Sequence, residues 1–324
     1  MMSSNHNISS DLLKLDLIPI KHTDVKNDLS ADFIELSALF SSDEISLNDV
    51  LQSYKTNEVT INKVIKIEDE FGIVTYEEDD NEELWIKEIF QICLYRNEEL
   101  DINYPFHLTS GTIILKDELN EKQKIYLSLL LSSNLNYFPF FKTDLTTDFE
   151  QISYQSLKTF LPNKAKVKQF GKNSDYIGTA KSKIIALAKD MHIKTEDDII
   201  NADVRGNQEK GLDVVAWIPF SDKVPNFVSI FAQCACGKEW YKKKGETKRY
   251  LNYFKFFGNK KPIQTMFIPY ALVKNSNTFY NSGELDDTLL FERFRIIECI
   301  SEDIFFRNLN TSNIINECIS FSIQ

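Results

Sequence analysis

GNQEKGLDVVAWIPFSDKVPNFVSIFAQCACGKEW, residues 206–240, decides how this chain is read. Two apolar runs stand in it, Leu212–Ile218 and Phe227–Cys236, each of strand length and rich in Val, Ile, Phe and Trp. Asn, Gly, Pro, Ser and Asp flank them, which is the pattern of paired β-strands. Each run carries one polar residue out of character, Asp213 at the start of the first and Gln233 inside the second. An unpaired carboxylate is costly to bury. Asp213 is therefore expected to face a polar cleft, with Gln233 beside it and Lys238 just beyond the second strand.

Outward from this stretch, charge divides the chain. Residues 1–149 hold 12 Lys and Arg against 28 Asp and Glu, and residues 150–324 hold 25 against 20. The net −11 is thus the sum of an acidic first half and a mildly basic second half, and such asymmetry suggests two regions with different tasks. The expected division is a mostly helical acidic domain over 1–145 and a second domain over 146–324. At 324 residues, with 43% apolar content, the chain can bury two cores. No apolar run approaches the ~20 residues of a membrane span. The opening MMSSNHNISSDLLKLD lacks the basic region and apolar core of a signal peptide, so a cytoplasmic location is expected. The five cysteines are scattered, and Cys234 and Cys236 without a second pair are a poor zinc signal.

In the first half, helical spacing appears in Asp32–Phe40 with Ser30 as cap, in a segment capped by Ser46, and in Leu84–Leu94. Asn120 caps a helix over Glu121–Leu131 whose apolar character extends nearly all round. Glu58–Tyr76 alternates enough for a small hairpin, and Glu77–Asp80 reads as an exposed turn. In the second half a helix opens at Thr146 or Thr147 and ends at Pro162, a short strand covers Ala165–Phe170, and a second helix covers Tyr176–Met191. After the two strands of the opening stretch come a helix over Lys238–Phe257 and a strand over Gln264–Leu272. This order predicts an α/β fold with a mixed central sheet flanked by helices.

An acid on one strand, followed by an acid or amide and a nearby lysine on the next, resembles the PD-(D/E)XK nuclease superfamily. The nearer likeness is to its Mrr-type restriction endonuclease branch, in which GxDVV precedes a strand ending in QxK. Gly211-Leu212-Asp213-Val214-Val215 and Gln233-Cys234-Ala235 carry that likeness here. Thr147-Asp148-Phe149-Glu150-Gln151-Ile152 resembles the branch's FExL helix start, which puts Glu150 in the place of its helix glutamate. Near a helix start a glutamate also has a plain role, closing a capping box, and both roles are open. The resemblance spans residues from about 146 to 300.

What the resemblance implies is a restriction endonuclease-like core and Mg²⁺- or Mn²⁺-dependent hydrolysis of DNA phosphodiester bonds, in prokaryotic restriction or antiphage defence. Asp213 is the implied direct ligand, Glu150 a second one, directly or through water, and Gln233 a neutral ligand that lowers the site charge by one. The backbone carbonyl of Cys234 completes the set. Magnesium is suited to a few carboxylate oxygens plus water. At the lysine position of QxK stands Ala235, so Lys238 is the expected replacement and Lys242 the reserve. Lys242, Lys243, Lys244, Lys248 and Arg249 belong to a run of nine positive residues between 238 and 261, a candidate DNA face. The acidic half would bind a protein partner or hold the nuclease in check, and a homo-oligomer is allowed. The alternative from another class is a nuclease-like module without catalysis that binds nucleic acid inside a larger complex.

Overall fold

The structure is a computed structural model that describes residues 27–56, 68–69, 72–73, 78–196, 211–258, 260–274, 278–279, 285, 287–301 and 306–322, with the isolated positions 8 and 12. Most of the expected Glu58–Tyr76 hairpin lies outside these residues, although Glu68–Asp69 and Gly72–Ile73 do pair antiparallel. The chain clusters into two compact units. The first holds Met1–Phe140, Lys274–Asn277 and Ile304–Gln324; the second holds Phe141–Val273 and Thr278–Asp303. The division therefore falls a few residues before 146, and the end of the chain clusters with the acidic half.

In the first unit, α1 (Asn27–Leu39), α2 (Leu47–Thr56), α3 (Glu78–Leu100) and α4 (Glu121–Ser133) surround a three-stranded antiparallel sheet. Its strands are β1 (Ile45–Ser46), β2 (Phe106–Leu108) and β3 (Thr112–Leu115), with β3 in the middle. The helix α4 starts where its cap residue sits. Asn120 Oδ1 accepts the Gln123 N–H, and the Gln123 side chain returns the bond to the Asn120 N–H, a complete capping box. Residues Ile125–Ser133 are buried on every side, as the apolar run predicts. Two expectations are corrected here. Helix α1 begins at Asn27, before its expected cap Ser30, and Glu78–Asp80 form the first turn of α3 rather than an exposed turn.

The second unit is built on a five-stranded mixed sheet in which sequence order is spatial order: β4 (Lys166–Gln169), β5 (Val214–Ile218), β6 (Val228–Cys234), β7 (Ile263–Phe267) and β8 (Leu289–Phe291). The first two pairings are antiparallel and the last two parallel, with Val214 opposite Ala232 and Val215 opposite Phe231. Side chains alternate across a sheet. Val215, Trp217 and Phe231 join one core with Leu187 of α6 (Ala180–Asp190), Tyr250 and Phe254. Val214, Ala216, Ile230 and Ala232 are left for the opposite face, where α5 (Lys142–Phe160) meets β5 and β6 and packs beside α7 (Arg293–Cys299). The fold class is thus mixed α/β.

Helix α5 begins at Lys142, so Glu150 lies about two turns inside it and has no capping role. Thr146 Oγ1 donates to the Lys142 and Thr143 carbonyls instead of capping. The helix expected over Lys238–Phe257 is replaced by two 3₁₀ segments, Trp240–Lys243 and Glu246–Asn252, followed by a short strand Phe254–Lys255. Gly245 between them takes the left-handed conformation (φ 78°), which a continuous α-helix cannot contain.

Candidate catalytic site

The site grows from the place where β5 begins. Asp213 stands one residue before the strand; its N–H donates to the Ala232 carbonyl at 2.9 Å, and its own carbonyl accepts the Phe170 N–H at 2.7 Å. The backbone is therefore fixed from both sides. Its carboxylate Oδ2 accepts the Cys234 N–H at 2.7 Å. Gly171 leaves the room for this: a Cβ there would lie 2.7 Å from Asp213 Oδ1. Asp213 is half-buried, as the polar-cleft reading expects.

Cys234 and Cys236 report what gathers around that carboxylate. Desolvation, then Asp213 and Glu150, push the Cys234 thiol well above its ordinary range. The Cys236 thiol is also pushed up, by desolvation, Glu150 and Asp213, with the Lys243 ammonium opposing them. Charges act further through a poorly solvated setting than through water. Glu150 on α5 and Asp213 ahead of β5 thus both bear on the same two thiols, and Lys243 bears on Cys236.

Gln233 is placed differently. It follows Phe231 on the face of α6 and the 3₁₀ segments, is 4% exposed, and its amide Nε2 donates to Glu246 Oε2 at 2.6 Å. The glycine of the GxDVV stretch serves this pair. Gly211 has φ 83°, and a Cβ there would meet Glu246 Oε2 at 2.5 Å and Gln233 Nε2 at 3.0 Å. Glu246 is the residue that sequence reasoning missed, because nothing in a lysine-rich run marks one glutamate as the partner of a strand amide.

Of the lysines, Lys238 is exposed just past the strand end, and desolvation pulls its pKa below the ordinary value. Lys242 is paired with Glu239, which raises its pKa and ties it to its own turn. Ala235, at the family's lysine position, is 1% exposed. In the candidate DNA face, Lys248 Nζ meets Asp287 at 3.0 Å and Arg249 Nε donates to the Glu246 carbonyl at 3.1 Å. Lys243 is exposed and Lys244 half-buried.

Among the described residues, no group of three or more His, Cys, Asp or Glu side chains is arranged to hold a metal ion. The donor set is two carboxylates, Glu150 and Asp213, with the Cys234 backbone beside them. Magnesium is commonly held by one or two carboxylates together with substrate phosphates, and keeps its other positions for water. The carboxylate pair fits that mode of binding. Gln233, engaged with Glu246, is outside it. Among the described residues no helix is long and apolar enough to cross a membrane. In comparisons with known proteins, no family model, no curated protein and no solved structure matches this chain.

Proposed function

We propose that the second unit is a metal-dependent nuclease acting on DNA, with a restriction endonuclease-like core, and that it serves in prokaryotic restriction or antiphage defence. One observation carries this reading: where the central antiparallel pair begins, Asp213 Oδ2 accepts the Cys234 N–H at 2.7 Å beside the room that Gly171 leaves, and the charge of Glu150 on the preceding helix is felt at the same thiols. The order of elements supports it, since a helix, an antiparallel run of three strands and a following parallel strand is what the resemblance calls for. Likeness of order is analogy, and the site has to stand on its own chemistry.

In this reading Asp213 and Glu150 hold Mg²⁺ or Mn²⁺. The ion, when bound, lowers the pKa of water and neutralises charge on the scissile phosphate. The Cys234 N–H holds the Asp213 carboxylate in one orientation, and Gly171 keeps the space beside it open. An ammonium from Lys238 or Lys243 opposes the negative charge that develops on the phosphate. Lys244, Lys248, Lys242 and Arg249 neutralise flanking phosphates, in competition with Asp287 and Glu239. The acidic first unit would engage a protein partner, and a cytoplasmic setting suits the substrate.

A second reading has its own observation. With Gln233 turned to Glu246 and a buried alanine at the lysine position, the strand lacks two of the family's three functional side chains. A nuclease-like module that binds nucleic acid without cutting it would look the same. Cleavage of linear, circular and single-stranded DNA with Mg²⁺ or Mn²⁺ separates the readings. Metal-dependent cutting by the wild type, lost in Asp213→Asn, supports the enzyme. Binding with no cutting under any metal supports the module. Lys238→Ala and Lys243→Ala, compared at saturating DNA, identify the lysine: the catalytic one lowers turnover by roughly 10²-fold.

A further inference from the structure

Apart from the carboxylate site, the second unit contains a cavity of about 400 Å³. It lies toward the other end of β5, where Trp217 stands four residues past Asp213, roughly 13 Å along a strand. Small-ligand pockets span about 300–1,000 Å³. This one is of a size for a single flat molecule with a charged group.

The walls indicate which kind. Lys166 is the cross-strand partner of Trp217, and Lys168 the partner of Val215. Partners in an antiparallel pair, and alternate residues on one strand, share a face. Two lysines therefore stand on the same side as the Trp217 indole, which is 4% exposed and forms a wall. Phe220 lines the cavity with 57% of its surface open, and Lys164 Nζ lies 5.2 Å from its ring centroid. Lys223 adds a third cation and His192 an imidazole. These last two have φ of 60° and 56°, and Asp101 is the one other non-glycine residue described with positive φ. At His192 this conformation closes α6, the His192 and Ile193 N–H groups donating to the Lys189 and Ala188 carbonyls. The acid in the lining, Asp190, accepts the Tyr176 hydroxyl at 2.9 Å, and Lys168 approaches Asp175 at 3.8 Å. Positive charge remains in excess.

A bare anion would use the lysines and leave the open part of the Phe220 ring, beyond the side that Lys164 covers, without contact, while an apolar molecule would leave the lysines unmet. We propose that this cavity binds a nucleoside phosphate, its base stacked against Phe220 with Trp217 as the floor, and its phosphate held by Lys166, Lys168 and Lys223. The nucleotide is either free in solution or an unpaired nucleotide of a single strand. The chemistry is shared: an aromatic ring face for the base and cations for the phosphate. This assignment does not depend on cleavage at Asp213.

Isothermal titration calorimetry of the full chain with AMP, adenosine, inorganic phosphate and a short 5′-phosphorylated single-stranded oligonucleotide tests it. AMP or the oligonucleotide should bind at least about tenfold more tightly than adenosine or phosphate. Phe220→Ala, a change at an exposed side chain, should weaken that binding about tenfold. The double variant Lys166→Gln with Lys223→Asn, in which Asn tolerates the left-handed backbone, should weaken it as much and flatten its salt dependence. Tighter binding of AMP assigns the site to a free nucleotide, and tighter binding of the oligonucleotide assigns it to a strand. Phosphate binding as tightly as AMP, binding indifferent to both variants, or no binding of either nucleotide ligand would overturn the proposal.

Discussion

In the first unit Asp32 and Glu35 are 1% and 0% exposed, enclosed by the guanidinium of Arg96; in the second, Asp213 and Glu150 remain half-buried beside two thiols. The Asp32 and Glu35 carboxylates are hydrogen-bonded at both oxygens. Arg96 Nη1 donates to Asp32 Oδ1 and Glu35 Oε1 at 2.8 Å each, and Nη2 to the Asp28 carbonyl at 3.0 Å. Tyr104 and Tyr126 donate to Glu35, and Ser133 donates to Asp32 at 2.7 Å. Burial penalises the Arg96 charge, but Glu35 and Asp32 outweigh it and hold the pKa well above its ordinary value. Residues from α1, α3 and α4 meet in these bonds, so the network ties three helices together. Enclosure and completed hydrogen bonds mark carboxylates that serve the fold. Partial exposure leaves a carboxylate open to a cation, which is the role proposed above for Asp213 and Glu150.

The strongest way to break this comparison is to remove the charge that closes the first cluster. Arg96→Met leaves Asp32 and Glu35 buried against one another and should cost about 3–5 kcal/mol, read from urea unfolding. A loss under about 1 kcal/mol would mean that the network contributes little. The same chemical change made in both clusters sharpens the point. Asp32→Asn should cost about 1.5–3 kcal/mol, because a charged hydrogen bond to Arg96 is lost without solvent to replace it. Asp213→Asn, in which the amide oxygen can still accept the Cys234 N–H, should change stability by less than about 1 kcal/mol. Equal losses would remove the distinction.

Glu292 shows that enclosure matters more than which unit holds the acid. It is fully buried in the second unit, caps α7 through the Arg295 N–H at 3.0 Å, and accepts the Leu272 N–H. Desolvation raises its pKa above the usual carboxylate range despite these bonds. The unfolded chain then releases its proton first, so the stability from this group is present at low pH and declines as pH rises through the folded pKa. Glu292→Gln should abolish that decline while keeping an acceptor at the cap. Urea unfolding at about pH 4 and about pH 7 should show the smaller pH dependence in the variant. An unchanged slope would place the effect in another group.

Elements of both units were legible before the structure. Two β-rich runs became β5 and β6, and the apolar run after Asn120 became α4, because period, cap residue and turn residues agreed there. Glu150 and Asp213 were named from short motifs, and both charges bear on the Cys234 and Cys236 thiols. Gln233 was assigned to the same cleft, yet its side chain faces Glu246. Strand parity predicts where Gln233 points relative to Phe231, but Asp213 sits before β5, where parity no longer tells its direction. The basic run was read as a helix from its aromatics and lysines, although Gly245 interrupts it. The acids of α1 carry no local signal of their partner. Only the fold brings Arg96 over them, and no local pattern announces a contact made across so many residues.

The central claim is that the carboxylates of the second unit are placed for a cation and those of the first are not. Thermal unfolding with and without Mg²⁺, in wild type and Asp213→Asn, tests it most directly, because an ion that binds only the folded chain raises the melting temperature. The account predicts an upward shift in the wild type that grows with Mg²⁺ concentration and is absent in Asp213→Asn. An equal shift in both proteins, or no shift in the wild type, would contradict it.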